Sequence, residues 1–319
     1  MALLEVKDLK TYFYTEEGIV RAVDGVSFTL EKGEVFGLVG ETGCGKTVTA
    51  LSIMRLVPEP GRIVGGNVIF KGEDLLKKKE EDMRRIRGKD IAMIFQDPLS
   101  SLNPVCTIGN QISEVFKIHQ GLNKKDSLKK TIEMLKRVNI PFPEKVVNQY
   151  PHELSGGMRQ RCMIAMALSC NPELLIADEP TTALDVTIQA QIIELLKKLI
   201  KDFHSSVLLI SHNLGLISEI CDKVAVMYAG TIVEFSSIET IFQNAKHPYT
   251  MALIEAIPKM DKRTKWLKAI DGAVPDMLNP PDGCKFHPRC PKAFSVCSKE
   301  VPEEIEVENG HKVTCHLYI

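Results

Sequence analysis

Residues 40–47 read GETGCGKT, which fits the pattern G-x-x-x-x-G-K-[ST]. Its glycines let the backbone turn tightly enough for the N–H groups to surround phosphate oxygens. A short apolar run, Val35–Val39, precedes this stretch, and a helical pattern over Thr47–Leu56 follows it. In such a strand, loop and helix the positive end of the helix dipole faces the same anion. The stretch therefore predicts a nucleotide-binding α/β domain.

Two side chains of this loop are suited to phosphate chemistry. Lys46 is placed to reach the β- and γ-phosphates of a nucleotide, and the hydroxyl of Thr47 is placed to bind Mg²⁺. Cys44 occupies an unconstrained position of the pattern, and we assign it no catalytic role. The residues predicted to contact the nucleotide here are Gly40, Glu41, Thr42, Gly43, Cys44, Gly45, Lys46, Thr47 and Val48.

The composition is that of an ordinary globular protein. The 319 residues are 44% hydrophobic and 25% charged, and this length suggests two domains or one domain with an extension. The net charge of −1 gives no global attraction to nucleic acid or anionic lipid. The N-terminus, MALLEVKDLKTYF, carries charges where a signal peptide would be apolar, and no apolar run approaches the roughly 20 residues that cross a bilayer. We therefore expect a cytosolic protein without a transmembrane segment of its own.

The order of the predicted elements indicates the fold class. Short apolar runs at 91–95, 174–177 and 207–210 alternate with amphipathic helices such as Ile188–Phe203. This alternation is typical of an α/β domain with a largely parallel sheet. From about residue 245 prolines recur and the alternation is lost. We predict a nucleotide-binding domain at 1–245, with a helical subdomain at about 99–171, and a C-terminal extension at 246–319.

An acidic pair follows the apolar run of LLIADEP, residues 174–180. Asp178 would end a strand beside the phosphate loop and hold Mg²⁺, and Glu179 would polarise an attacking water as general base. The alternative is that the pair only caps a helix. The phosphate loop upstream favours the catalytic interpretation.

A second anion-binding device lies in YPHELSGGMRQR, residues 150–161. Ser155, Gly156 and Gly157 precede a helical run, so they offer exposed N–H groups and a hydroxyl at a helix N-terminus. A chain with one phosphate loop and one such helix start predicts a head-to-tail dimer. In that dimer the serine and glycines of each subunit would cover the ATP of the other.

The motifs GETGCGKT, LSGGMRQR and LLIADEPTTALD, in this order, resemble those of the ATP-binding cassette (ABC) ATPases over about residues 3–250. The resemblance implies a P-loop NTPase fold with a RecA-like parallel sheet core, an antiparallel β subdomain and a helical subdomain. Gln96 resembles the glutamine that links Mg²⁺ to a membrane partner, and His212 resembles the switch histidine that contacts the γ-phosphate. Asp185 resembles the aspartate at the dimer interface. An aromatic residue near the start should stack on adenine; Phe13 fits by spacing, with Tyr12 and Tyr14 as alternatives.

The implied roles form two sets. The catalytic residues would be Glu179, His212 and Gln96, and the ligands of Mg²⁺ would be Thr47, Gln96 and Asp178.

Further stretches narrow the resemblance. FQDPLSSLNPVCTIGNQI (95–112) and HPYTMALIEAIP (247–258) are similar to the ATPase subunits of dipeptide, oligopeptide and nickel importers, and most of all to the D-type ATPases of dipeptide permeases. This implies an ATPase that drives peptide import from the cytoplasmic face of the membrane. Its partners would be a second ATPase, identical or merely similar, two transmembrane permease subunits and, indirectly, an extracytoplasmic substrate-binding protein. Dipeptide, longer peptide and nickel remain open as substrates.

Two rival classes share the cassette. A DNA-repair or chromosome-organising ATPase would carry a long coiled-coil insertion between GETGCGKT and LSGG, and the roughly 110 residues there contain no sustained heptad pattern. A translation-associated ATPase would carry two cassettes on one chain. A nucleic-acid-binding metal module at the C-terminus is a third possibility, and the acidic stretch EVPEEIEVE (300–308) disfavours it. We therefore predict no nucleic-acid partner.

Four of the nine cysteines lie within residues 284–319. Their spacing is C-x5-C-x6-C-x17-C, and a segment this short with few large apolar groups needs a covalent or metal cross-link. A cytosolic setting favours metal over disulfides. Four sulfurs suit either zinc or a [4Fe–4S] cluster, and the family resemblance favours the cluster, in a structural role rather than as a redox sensor. The predicted ligands are Cys284, Cys290, Cys297 and Cys315.

Overall fold

The computed structural model describes residues 2–182, 184–257, 270–308 and 310–319. The chain forms two compact units. The first comprises Met1–Leu76 and Leu209–Ile319, and the second comprises Lys77–Leu208. The predicted domain boundary at 245/246 and the predicted helical subdomain at 99–171 remain predictions.

The N-terminal part of the first unit builds an antiparallel sheet and the strand and helix around the phosphate loop. Its elements are β1 (Ala2–Thr15), β2 (Gly18–Glu31), β3 (Val35–Val39), α1 (Lys46–Met54), β4 (Gly61–Phe70) and β5 (Glu73–Asp74). The sheet has the order β2-β1-β4-β5, with antiparallel pairing throughout. Leu4 and Val6 of β1 are buried because alternate side chains point to its covered face, and an irregularity in the pairing between Val6 and Leu9 shifts the alternation so that Leu9 is buried as well. The expected antiparallel β subdomain is confirmed.

The second unit is mostly helical. Its elements are α2 (Glu80–Ile86), β6 (Ile91–Ile94), α3 (Pro98–Ser101), α4 (Ile108–Gln120), α5 (Lys124–Arg137), α6 (Pro143–Val146), α7 (Gly156–Leu168), β7 (Leu174–Asp178) and α8 (Val186–Phe203), and β8 (Ser206–Ser211) begins at its end. Strands β6 and β7 pair in parallel, and α4, α5 and α7 pack against one another. The sequence pattern predicts a helix over Leu128–Val138. The helix starts earlier, at Lys124, because the side chain of Asn123 accepts hydrogen bonds from the N–H groups of Lys125 and Asp126.

The C-terminal part of the first unit continues the sheet that contains β3. Its elements are α9 (Leu214–Ile220), β9 (Lys223–Tyr228), β10 (Thr231–Ser237), α10 (Ile238–Asn244), α11 (Pro248–Glu255), β11 (Glu304–Glu308) and β12 (His311–Thr314). Within this unit the strand order is β11-β12-β10-β9-β3, and β3 and β9 are parallel. The runs Lys223–Tyr228 and Thr231–Glu234 predict a hairpin around Ala229 and Gly230. This hairpin is present, and both residues have positive φ, as its tight turn requires.

The fold confirms the predicted class, an α/β P-loop architecture. Stacked phenylalanines form part of the core beside β3: the ring of Phe36 lies 4.9 Å from that of Phe28 and 5.9 Å from that of Phe235. In the ranges that the structure describes, we find no helix with the length and apolar character needed to span a membrane.

Candidate nucleotide-binding site

The phosphate loop joins β3 to α1 and is pressed against neighbouring backbone. A Cβ atom on Gly40 would lie 2.1 Å from the carbonyl oxygen of Met227, and one on Gly45 would lie 2.2 Å from that of Ala22. Gly45 also has a φ of 103°, in the left-handed region. Both positions therefore require glycine, and the loop has the tight path that its sequence pattern predicts.

Lys46 is buried at the first position of α1. Its Nζ atom donates hydrogen bonds to the carbonyl oxygens of Gly40, at 2.7 Å, and Glu41, at 2.9 Å. The ammonium group is thus held inside the loop, where it can exchange carbonyl oxygens for phosphate oxygens. Burial raises the pKa of the neighbouring Cys44 thiol, so this sulfur is protonated at neutral pH and has no role as a nucleophile.

Glu41 is held by two residues that follow it by more than 200 positions. Its backbone N–H donates to the hydroxyl oxygen of Tyr249 at 2.9 Å. Both of its carboxylate oxygens accept from Arg289, with N–O distances of 2.8 Å and 3.1 Å. The sequence analysis missed this contact, since a lone arginine between Cys284 and Cys290 gives no signal of its target.

The acidic strand end lies in the second unit. Strand β7 ends at the buried Asp178, and Glu179 follows with a φ of 44°, which is unusual for a residue other than glycine. The Oε2 atom of Glu179 accepts hydrogen bonds from Gln96 Nε2 at 3.1 Å and from Thr182 Oγ1 at 2.9 Å. The structure therefore brings together Gln96 and Glu179, two of the predicted catalytic residues, and orients the carboxylate from two sides.

The predicted partner-facing residues lie on open surface of the second unit. Ser155 caps α7, its Oγ atom accepting from the N–H of Met158 at 3.3 Å, and both Ser155 and Gly156 are exposed. Asp185, just before α8, is also exposed, and the side chain of Val186 is 82% exposed. Ser155 and Gly156, at the N-terminal tip of α7, are therefore open to a second molecule. Gly157 lies next to them in the first turn of the helix.

The remaining predicted residues belong to the first unit. Thr47 and Val48 form the first turn of α1 after Lys46, and His212 is exposed between β8 and α9. Phe13 is half-buried against Gly61, and the hydroxyl group of Tyr12 donates to Asp24 at 2.8 Å. Tyr14 is the most exposed of the three aromatic residues considered for adenine stacking. Their roles remain predictions.

The four C-terminal thiols lie within electrostatic range of one another. The backbone N–H of Cys284 donates to the carbonyl oxygen of Cys297 at 2.8 Å. Burial, and then the proximity of Cys297 and Cys290, raises the pKa of the Cys284 thiol. Burial is also the main reason why the pKa of Cys315 rises to about 11, and the other three thiols add to that rise. No group of three or more His, Cys, Asp or Glu side chains in the described residues is arranged to hold a metal ion, so the predicted zinc or iron–sulfur site is not seen as a preformed ion site.

Comparison with known proteins matches most of the chain. The ABC transporter family profile matches residues 23–182, and the profile of the oligopeptide/dipeptide transporter C-terminal region matches residues 233–297. The chain is 52% identical to the probable peptide ABC transporter ATP-binding protein y4tR of Sinorhizobium fredii, covering 98% of this chain and 94% of that protein. It is 50% identical to the oligopeptide transport ATP-binding protein AppD of Bacillus subtilis, covering 99% of this chain and 97% of that protein. A solved dimeric ATP-binding cassette, MJ0796 bound to ADP and Pi, matches with a TM-score of 0.66 and 25% identity, over 74% of this chain and 98% of that one.

Proposed function

The chain belongs to the ATP-binding proteins of the ABC transporter family, and we propose that it hydrolyses ATP as the motor subunit of an importer for di- or oligopeptides. The observation that carries this proposal is the loop of residues 40–47, which holds Lys46 inside a glycine-lined turn at the start of α1. Peptide as the substrate is supported by the relatives of about 50% identity, which are peptide-transport ATP-binding proteins over nearly the whole chain.

The hydrolytic roles follow from the side chains present. Lys46 moves its hydrogen bonds from loop carbonyls to the β- and γ-phosphates, and the N-terminus of α1 adds its dipole. Glu179 accepts the proton of the attacking water, since Gln96 and Thr182 orient its carboxylate. Thr47, Gln96 and Asp178 would supply oxygen atoms for Mg²⁺, a donor set that this hard cation prefers. The ion would supply positive charge that offsets the charge of the phosphate oxygens.

The working form is a head-to-tail dimer with a second ATPase, identical or similar. The exposed tip formed by Ser155, Gly156 and Gly157 would face the nucleotide of the partner. The exposure of Asp185 and Val186 supports an interface at the start of α8, because an isolated aliphatic side chain that is 82% exposed gains stability when a partner covers it. His212 would sense the γ-phosphate, and Phe13 would stack on adenine.

The transmembrane permease subunits dock near Gln96. The segment that follows this residue exposes Leu99, at 62%, and Val105, at 79%, and Phe142 of the same unit is 73% exposed. Contiguous apolar patches on a surface mark sites for partners, and we propose that these side chains contribute to one such patch. In this proposal the protein works at the cytoplasmic face of the membrane, and a substrate-binding protein acts on the other side.

The four thiols would hold a [4Fe–4S] cluster that stabilises the extension, with zinc as the alternative. The described residues contain no preformed arrangement for a metal ion, so this proposal rests on the number and spacing of the four cysteines and on the family resemblance. Anaerobic purification should give absorbance near about 400 nm; a colourless chain with one tightly held zinc would exclude the cluster.

The test of the main proposal is titration of the full chain with Mg·ATP and measurement of phosphate release. Lys46→Ala should lose nucleotide binding, because it removes the only side chain of the loop that carries a positive charge. Lys198→Ala, at an exposed position of α8, is the matched control and should bind as the wild type does. A Lys46→Ala variant that binds Mg·ATP with unchanged affinity would refute the proposed site.

A further inference from the structure

Arg289 is the link between the cysteine segment and the phosphate loop. It lies in a turn of 3-10 helix, His287–Arg289, immediately before Cys290, and its side chain is only 5% exposed. Two of its hydrogen bonds go to the carboxylate of Glu41. The others go to the hydroxyl of Tyr228 at 3.3 Å and to the carbonyl oxygens of Asp271 at 2.8 Å and Ile270 at 3.4 Å. These five bonds match the five N–H donors of a guanidinium group, so its geometry is fully specified.

Glu41 also contacts Lys46, the lysine of the phosphate loop. The carboxylate of Glu41 binds Arg289, its N–H binds Tyr249, and its carbonyl oxygen accepts from Lys46 Nζ. Each polar group of Glu41 is thus occupied, and Arg289 and Tyr249 both belong to the extension predicted at 246–319. The position of the loop backbone beside Lys46 therefore depends on residues outside the cassette motifs.

The turn that carries Arg289 is tied to the thiols. The N–H of Cys290 donates to the carbonyl oxygen of His287 at 3.2 Å, and the N–H of His287 donates to that of Cys284 at 2.9 Å. The N–H of Cys284 donates in turn to the carbonyl oxygen of Cys297 at 2.8 Å. These bonds fix the backbone of the turn, and with it the position from which Arg289 reaches Glu41.

We propose that Arg289 is a positioning residue for the phosphate loop, and that its two hydrogen bonds to the carboxylate of Glu41 raise nucleotide affinity. Loss of these bonds releases the carboxylate of Glu41 and weakens binding of Mg·ATP. This inference rests on the proposed function, because it assumes that the loop binds nucleotide. The bidentate geometry matters as much as the charge, since a lysine at position 289 offers a point charge without the fork.

The experiment is a double-mutant cycle on the full chain, with Kd for Mg·ATP as the measurement. Arg289→Gln and Glu41→Gln should each raise Kd about tenfold, and the double variant should be no weaker than either single variant, because both remove one interaction. Arg289→Lys should recover only part of the affinity. Lys292→Gln removes the same charge from an exposed position of the same segment and should leave Kd unchanged.

A merely structural role predicts a different pattern. If Arg289 is only structural, the nucleotide-free Arg289→Gln chain should unfold at a lower temperature than the wild type, but its Kd for Mg·ATP should stay within about twofold of the wild-type value. That result would overturn the proposal. If the wild-type chain itself fails to bind Mg·ATP, the proposed function fails first, so the two failures are distinguishable.

Discussion

His247 makes the stability of the extension depend on pH. It is buried at the N-terminus of α11, and its Nδ1 atom accepts a hydrogen bond from the N–H of Tyr249 at 3.1 Å. Its ring lies 5.6 Å from that of Phe286. Burial lowers the pKa of this histidine from its ordinary 6.5 to about 3. The folded chain therefore keeps His247 neutral, in the form that caps the helix.

The sign and size of the effect follow from the two pKa values. An unfolded chain protonates His247 below pH 6.5, whereas the folded chain does not do so until about pH 3. The stability that depends on this residue is complete above pH 6.5 and is lost as the pH falls from 6.5 toward 3. Each pH unit between the two pKa values changes the free energy of unfolding by about 1.36 kcal/mol. Lowering the pH from about 7.5 to about 5 therefore reduces the free energy of unfolding by about 2 kcal/mol.

Urea unfolding at these two pH values measures the loss. The matched variant is His247→Asn, because asparagine keeps a cap acceptor for the N–H of Tyr249 but does not titrate. The wild type should lose about 2 kcal/mol more than the variant on acidification. Since the carboxylates titrate in both proteins, the difference isolates His247. Equal losses would show that the ring is accessible to protons and would refute the reasoning.

Three further outcomes test the site and its surfaces. Glu179→Gln should bind Mg·ATP but slow phosphate release by about a hundredfold or more, because it removes the general base; wild-type turnover would contradict that role. Ser155→Ala should cost about 1 kcal/mol of stability through loss of the α7 cap and should weaken ATP-dependent dimerisation measured by sedimentation, which an unchanged dimer would disprove. Leu99→Asp should abolish co-purification with the permease subunits while leaving Kd for Mg·ATP unchanged, and retained co-purification would place the docking surface elsewhere.

Local chemistry made much of the fold predictable. The glycines of the phosphate loop, the hairpin at Ala229 and Gly230, and the buried run of β7 each depend on neighbouring residues, and each was identified from the sequence. The start of α5 was misplaced because hydrophobic periodicity begins after the cap, whereas the cap itself is Asn123. The stretch Glu304–Glu308 was considered only for its acidity, although its alternation of glutamate with Ile305 and Val307 is a strand pattern.

Contacts between distant parts of the chain were not predictable in the same way. Arg289 and Glu41 are 248 residues apart, and neither has a neighbour that marks it as half of a pair. The pairing of β12 with β10 brings His311 onto the buried carboxylate of Glu234, with 2.8 Å between Nε2 and Oε1. The sequence contains many charged residues that could pair with Glu41 or Glu234. Only the folded arrangement determines which of them do.

Truncation would test how far the stability of the cassette depends on its extension. A chain that ends at residue 269 lacks β11 and β12, and with them the buried side chains of Met277, Phe286 and Val313. Each such side chain contributes about 1.5–3 kcal/mol when buried, so the three together contribute about 4.5–9 kcal/mol. That is a large part of the 5–15 kcal/mol by which domains are stable, and the edge of β10 would also become unpaired. We therefore expect the truncated chain to aggregate, or to unfold at a much lower urea concentration than the full chain. We also expect a higher Kd for Mg·ATP, because Arg289 is absent. A truncated chain that stays monomeric, resists urea equally and binds Mg·ATP as tightly would mean that the extension neither supports the first unit nor positions its loop.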